Sequence, residues 1–128
     1  MNGADAVREF VDAFNEEAID ALVATLTEDV EIEGSRGILK GRDAARGWAT
    51  RKPSGELTQR LVLEDLTEHG EHAIAAMRRE WLWREDGAVA DEQRLFCVAT
   101  MRGGLIARWE PFEDRADALR AAGAEAQA

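Results

Sequence analysis

The stretch MRREWLWRED, residues 77–86, sets two tryptophans among six charged side chains. A strand sends successive side chains to opposite faces. Met77, Arg79, Trp81 and Trp83 then share one side, and Arg78, Glu80 and Leu82 share the other. Each face is part apolar and part charged, so neither is written for bulk water alone. Other residue types offer less chemistry. Nucleophilic catalysis needs a serine or cysteine beside a base. The serines are Ser35 and Ser54, both in Gly-rich loops, and Cys97 lies in the apolar run LFCVA, where a cysteine serves as a small core residue. His69 and His72 form an H-x-x-H across a turn without a third ligand, so no metal is expected. Glu28, Asp29, Glu31 and Glu33 lack the spacing of a calcium loop; Glu31 and Glu33 share a strand face and read as a charged outer surface. No Gly-rich loop follows a strand and opens a helix, so nucleotide binding is unsupported and no cofactor is expected.

The elements that must position these residues follow from periodicity. Val7, Phe10, Val11 and Phe14 have helical spacing, Asn15 interrupts it, and Ile19, Leu22, Val23 and Leu26 repeat it. Residues 5–26 thus predict a helical hairpin. EDVEIEG (28–34) switches to the alternation of a strand. A short Gly-bounded piece, GILKG, precedes GRDAARGWAT, which predicts a third helix ending near Arg51, before the loop Lys52-Pro53-Ser54-Gly55. Long strands are predicted at 57–69, 72–85, about 89–102 and in LIARWEPFED, with glycines at the turns between them. DRADALRAAG predicts a short helix stopping at Gly123, and the Ala-rich acidic tail beyond it is expected to fray. Helices followed by an antiparallel meander indicate an α+β fold, a curved sheet wrapped over helices.

With 128 residues, 45% hydrophobic and 33% charged, the chain reads as one globular domain spanning 1–128. A net charge of −10 argues against nucleic acid or an anionic membrane as partner. No apolar run is long enough to span a bilayer, and MNGADAVREF lacks the layout of a signal peptide. A single cysteine allows no internal disulfide, and a cytoplasmic location is the expectation.

Three stretches in this order resemble the nuclear transport factor 2-like superfamily, in particular its SnoaL-like branch. They are VREFVDAFNEEAIDALVATLTEDVEIEG, GILKGRDAARGW and GGLIARWEPFEDRADALRAAG, and the resemblance covers roughly residues 6–123. It implies a cone-shaped roll or barrel, a bent, mainly antiparallel sheet over three N-terminal helices with a pocket at the wide end. In many members the other face of the sheet meets a second copy. The fold hosts isomerases, cyclases, epoxide hydrolases and binding modules, so activity must come from the site.

Steroid isomerases of this superfamily use a carboxylate base with a tyrosine and an acidic hydrogen-bond donor. By resemblance those positions fall at Phe10, near Gly34 and near Cys97, none of which can do the work, and the chain has no tyrosine. The Asp–Arg–Asp relay of limonene-type epoxide hydrolases could take its middle member from Arg79, with Gln93 or Glu113 nearby, but no aspartate pair aligns with it. The acid of the polyketide cyclases has Asp91 as its nearest candidate. The catalytic candidates are therefore Arg79, Asp91 and Glu113.

The same resemblance turns Trp48, Trp109, Met77, Arg79 and Trp81 inward, and with Phe10, Phe14 and Gln93 they would line an aromatic chamber. Such a chamber suits a small hydrophobic molecule, and an arginine inside it favours a carboxylate or enolate-like oxygen. The alternative is an ordinary filled core, with Arg79 paired to an internal carboxylate such as Glu113. Outside, Arg78, Glu80 and Leu82 with Phe96, Val98 and Thr100 would form a twofold homodimer interface. Three functions stay open: a small-molecule-binding protein, an isomerase, cyclase or hydrolase using Arg79 with Glu113 or Asp91, and a non-catalytic interaction module.

Overall fold

The apolar spacing at Val7, Phe10 and Val11 becomes the buried stripe of helix α1 (Gly3–Asn15) in the computed structural model, which describes residues 3–34, 37–50 and 56–123. The chain reverses after Asn15 through Glu17, which holds a positive φ of 57°. Asn15 does more than end the helix. Its Nδ2 donates to the Leu61 carbonyl at 2.8 Å and its Oδ1 accepts from the Leu61 N–H at 2.7 Å. One side-chain amide thus fastens the end of α1 to strand β3 (Leu57–His69).

Helix α2 (Ile19–Val23) is shorter than the spacing predicts, because Leu26 opens strand β1 (Leu26–Gly34) instead of closing the helix. Thr25 ends the helix by donating from its hydroxyl to the Leu22 carbonyl at 2.6 Å, while its own carbonyl accepts from Ile106 N–H at 2.8 Å. Leu26 remains fully buried, so its apolar character signalled burial and not helix. GILKG, expected only as a connecting piece, contains strand β2 (Gly37–Lys40), antiparallel to β1; four residues are too few for alternation to reveal. Helix α3 (Arg42–Thr50) follows, then β4 (His72–Trp83), β5 (Val89–Arg102), β6 (Leu105–Phe112) and α4 (Arg115–Ala121). Asp114 caps α4 by accepting from the Ala116 N–H at 2.7 Å. The expected 52–55 loop and the tail beyond Gly123 lie outside the described residues.

The strands form one six-stranded sheet in the order β2-β1-β6-β5-β4-β3, antiparallel throughout except for the β1–β6 pair. The class is α+β as expected, but the sheet does not close, and β2 and β3 remain edges. Register shifts at Leu63/Asp65, Trp81/Leu82 and Thr100/Met101 mark bulges, which bend strands and raise their twist. The inner face buries Ala73, Ala75, Met77, Leu95, Cys97, Ala99 and Trp109 against Ala6, Val7, Phe10 and Val11 of α1. Helix α4 sits on the opposite, outer face, where Ala118 and Ala122 pack on Ile74 and Val98 beside Phe96 and Phe112.

The rest of the outer face is ionic. Glu80 is only 4% exposed, yet it is fully partnered: Oε1 accepts from Arg60 Nε at 2.9 Å and Nη2 at 2.5 Å, and Oε2 accepts from Arg78 Nε at 3.0 Å. Arg78 also donates from Nη1 to Glu64 at 2.9 Å. Arg60 first, then Arg78, hold the Glu80 carboxyl below its ordinary value of 4.5. Asp29 is likewise held below its ordinary 3.8, mainly by the hydrogen bond from Arg102. A depressed folded-state value contributes stability that is present above the unfolded value and lost as pH falls through the folded one. Thermal unfolding followed from about pH 7 to about pH 3 should therefore show the transition temperature dropping below pH 4.5. Glu80→Gln should lower it near neutrality and flatten the acid limb, leaving the slope that Asp29 supplies. An acid limb as steep in the variant as in the wild type would remove Glu80 from the account.

Candidate functional site

The inner face and the helices leave a cavity of about 690 Å³, within the range of small-molecule sites. Strand pairing orders its sheet wall into rows. Leu61, Arg79 and Gln93 face one another across β3, β4 and β5, and one step deeper lie Leu63, Met77 and Leu95. The next row towards the mouth is Gln59, Trp81 and Asp91. The helical wall is aromatic, made by Phe14 of α1 and Trp48 of α3, and Trp109 of β6 adds a third ring from the sheet. Glu33 and Glu113 stand exposed where the cavity opens.

Arg79 is half-buried in the sheet wall. Its Nε is enclosed and finds no hydrogen-bond partner among the described residues. Its guanidinium carbon lies 5.8 Å from the centre of the Trp81 ring, a cation–π distance. Burial lowers its pKa, and guanidinium's high starting value keeps it charged. Cys97 lines the cavity and is fully buried; burial pushes its thiol up to about 12, against the smaller pull of Arg79. A thiol so protonated is not a nucleophile near neutral pH.

The sequence candidates divide accordingly. Phe14, Trp48, Met77, Arg79, Gln93 and Trp109 line the cavity. Phe10 does not: it is 0% exposed, with its ring 4.4 Å from that of Trp109 and 6.0 Å from that of Trp48. Helical spacing placed it on the right face, but it falls one turn earlier than Phe14, behind the two indoles. Trp81 shares the inward face of Arg79, but lies one row towards the mouth and outside the lining. Trp83 is exposed at the end of its strand. Asp91 is also outside the lining, exposed, with its carboxylate accepting from the Glu92 N–H at 2.8 Å. Glu113 reaches the mouth but forms no ion pair with Arg79 among the described residues. Arg79 is flanked on the neighbouring strands by Leu61 and Gln93, so neither an Asp–Arg–Asp relay nor an Arg79 pair with Asp91 or Glu113 is assembled.

Other residues appear only once pairing is known. Gln59, Leu61 and Leu95 enter the wall as register neighbours of the β4 residues. Glu33, expected outside, is brought to the mouth with Gly34 and Gly37 by the β1–β2 hairpin, whereas Glu31 stays outside near Lys40 and Arg108. Of the positions that resemblance aligns with the steroid-isomerase groups, Gly34 and Cys97 line the cavity and Phe10 lies behind it. His69 and His72 face each other at the β3–β4 turn, with His72 Nδ1 3.1 Å from Thr100 Oγ1. Among the described residues no group of three His, Cys, Asp or Glu side chains could hold a metal ion.

A bent, unclosed sheet enclosing a chamber against the helical layer defines the class as the NTF2-like fold. The model described as a SnoaL-like domain matches residues 7–109, and the chain belongs to that family. Among solved structures it is similar to an NTF2-like protein of unknown function from Burkholderia pseudomallei, at 22% identity and TM-score 0.74, covering 94% of this chain and 96% of that one. A proposed polyketide cyclase from Xanthomonas campestris is similar at 19% identity and TM-score 0.73, covering 93% and 95%. TerC, co-crystallised with polyporic acid, is similar at 21% identity and TM-score 0.72, covering 94% and 97%. No curated protein sequence matches the chain significantly. Identities this low carry the fold and leave the chemistry to the side chains.

The different depths of the two phenylalanines can be measured. Phe10→Ala should destabilise the protein by about 3–5 kcal/mol in denaturant unfolding, since it empties a closed site. Phe14→Ala should cost roughly 1 kcal/mol, because its ring already borders open space. Equal losses would contradict the assignment of Phe10 to the core and Phe14 to the wall.

Proposed function

We propose that the protein binds a small hydrophobic molecule in this chamber. The observation that carries the reading is the cavity itself, about 690 Å³ between aromatic side chains on one wall and a mainly apolar sheet on the other. A packed interior leaves few voids larger than a water molecule, so open volume of this size calls for an occupant. The likeness to a proposed cyclase and to a protein crystallised with polyporic acid supports a ligand of that general kind. Binding is favoured over isomerase, cyclase or hydrolase chemistry because the lining carboxylates among the described residues stand at the exposed mouth, away from the interior donors. The neutral fluorophore N-phenylnaphthylamine should bind with enhanced emission and quench the chain's tryptophans. Trp48→Ala should weaken it about tenfold, and Leu95→Trp, which fills the middle of the chamber, should abolish binding while the fold persists by circular dichroism. Unchanged binding in Leu95→Trp would put the probe elsewhere.

A homodimer through the outer face belongs to the same proposal. Helix α4 covers Val98 and packs beside Phe96, which the sequence offered to a partner, and so narrows that surface. The strip it leaves alternates Arg60, Arg78 and Arg94 with Glu64, Glu80 and Glu92, a pattern of both signs that a twofold copy could complement. Sedimentation at micromolar concentration should give a dimer that Arg94→Glu weakens; a wild-type monomer would remove the idea. No described helix is long and apolar enough to cross a membrane. A cytoplasmic setting completes the proposal, and the free, buried Cys97 accords with a reducing compartment.

A further inference from the structure

The polar groups of the chamber occupy a single band. Arg79 and Gln93 lie in one row and Gln59 in the next, all on the sheet wall between the apolar Met77–Leu95 level and the mouth. The aromatic wall opposite holds no charge. Among the described lining residues Arg79 is the one cation, and the two carboxylates, Glu33 and Glu113, stand exposed at the mouth.

An enclosed guanidinium N–H normally finds an acceptor, because leaving it without one forfeits the hydration it gave up. The neighbouring Arg78 shows what satisfaction looks like on this strand, with Glu80, Glu64 and Glu92 around it. Arg79 has no such set: its Nε is unpartnered, and its strand neighbours are a leucine and an amide. Its counter-charge is not supplied from within the described chain.

We propose that the chamber, read as a binding site, selects amphipathic monoanions: an apolar ring body with one oxyanionic group that Arg79 holds, flanked by the amide donors of Gln59 and Gln93. The body lies inward against Met77, Leu95 and Trp109, and the oxyanion lies nearer the mouth. Glu33 and Glu113 disfavour a second negative charge by like-charge repulsion at the entrance. This rests on the chamber reading and adds to it the charge, the orientation and the residue that sets specificity.

Anilinonaphthalene sulfonate and N-phenylnaphthylamine share one ring body and differ by the sulfonate, so their affinity ratio isolates the charge. The wild type should prefer the sulfonate by roughly tenfold or more, as charge-assisted hydrogen bonds imply. Arg79→Met should bring the affinity ratio of the two probes to about one, and Arg79→Lys, which keeps the charge, should restore part of the preference. A disulfonated analogue should bind more weakly than the monosulfonate, and Glu33→Gln with Glu113→Gln should narrow that gap. If the neutral probe binds but the wild type shows no preference, or Arg79→Met and Arg79→Lys retain it in full, the charge selection is wrong and the chamber reading survives. If neither probe binds, or Leu95→Trp affects neither, the chamber reading fails and this inference with it.

Discussion

Phe10 holds the two layers of this protein at a fixed distance. Its ring lies against Trp109 of the sheet and within stacking range of Trp48 of α3, so three elements meet on one closed aromatic pile. Close-packed rings do not compress, and the helices cannot settle further onto the sheet there. Asn15 fixes the other end of α1 by its paired hydrogen bonds to Leu61. Between the pile and the clamp the helical layer cannot collapse, and the space beside Phe14 and Trp48 stays open as the chamber.

The two adjacent arginines of β4 show how the pleat sorts one residue type into two roles. Arg78 points outward, where carboxylates surround it and raise its pKa, Glu80 foremost. Arg79 points inward, where burial lowers its pKa and no carboxylate among the described residues balances it. One residue of offset separates a cation that holds the outer face together from a cation available to something else. The same period makes the strand intolerant of slippage, since a shift of one residue would exchange the two.

Much of this was legible from the sequence, because periodicity reports burial directly. The long strands, the inward set Met77, Arg79, Gln93 and Trp109, and the α+β class follow from alternation together with family resemblance. What alternation cannot report is depth along a strand or behind a helix face. Asp91 and Trp81 sit at the right parity but too near the mouth, and Phe10 and Phe14 share a helix face at different depths. Helix α4 was foreseen, but its seat on Ile74 and Val98 was not, since an Ala-rich helix fits many surfaces. Leu26 misled because a buried leucine satisfies helix and strand alike, and Thr25 decides between them through its bond to Leu22.

The Asn15 clamp has a second consequence, at the border of the sheet. Among the described residues strand β3 has no strand beyond it, and an open border of unpaired N–H and C=O groups invites another chain to add itself there. Because Leu61 gives both its N–H and its C=O to Asn15, those groups point away from β4 and are already occupied. An intruding strand would have to displace an amide that meets both groups at once and is anchored by a whole helix. The residue that ends α1 thereby also obstructs strand addition at that point of the border.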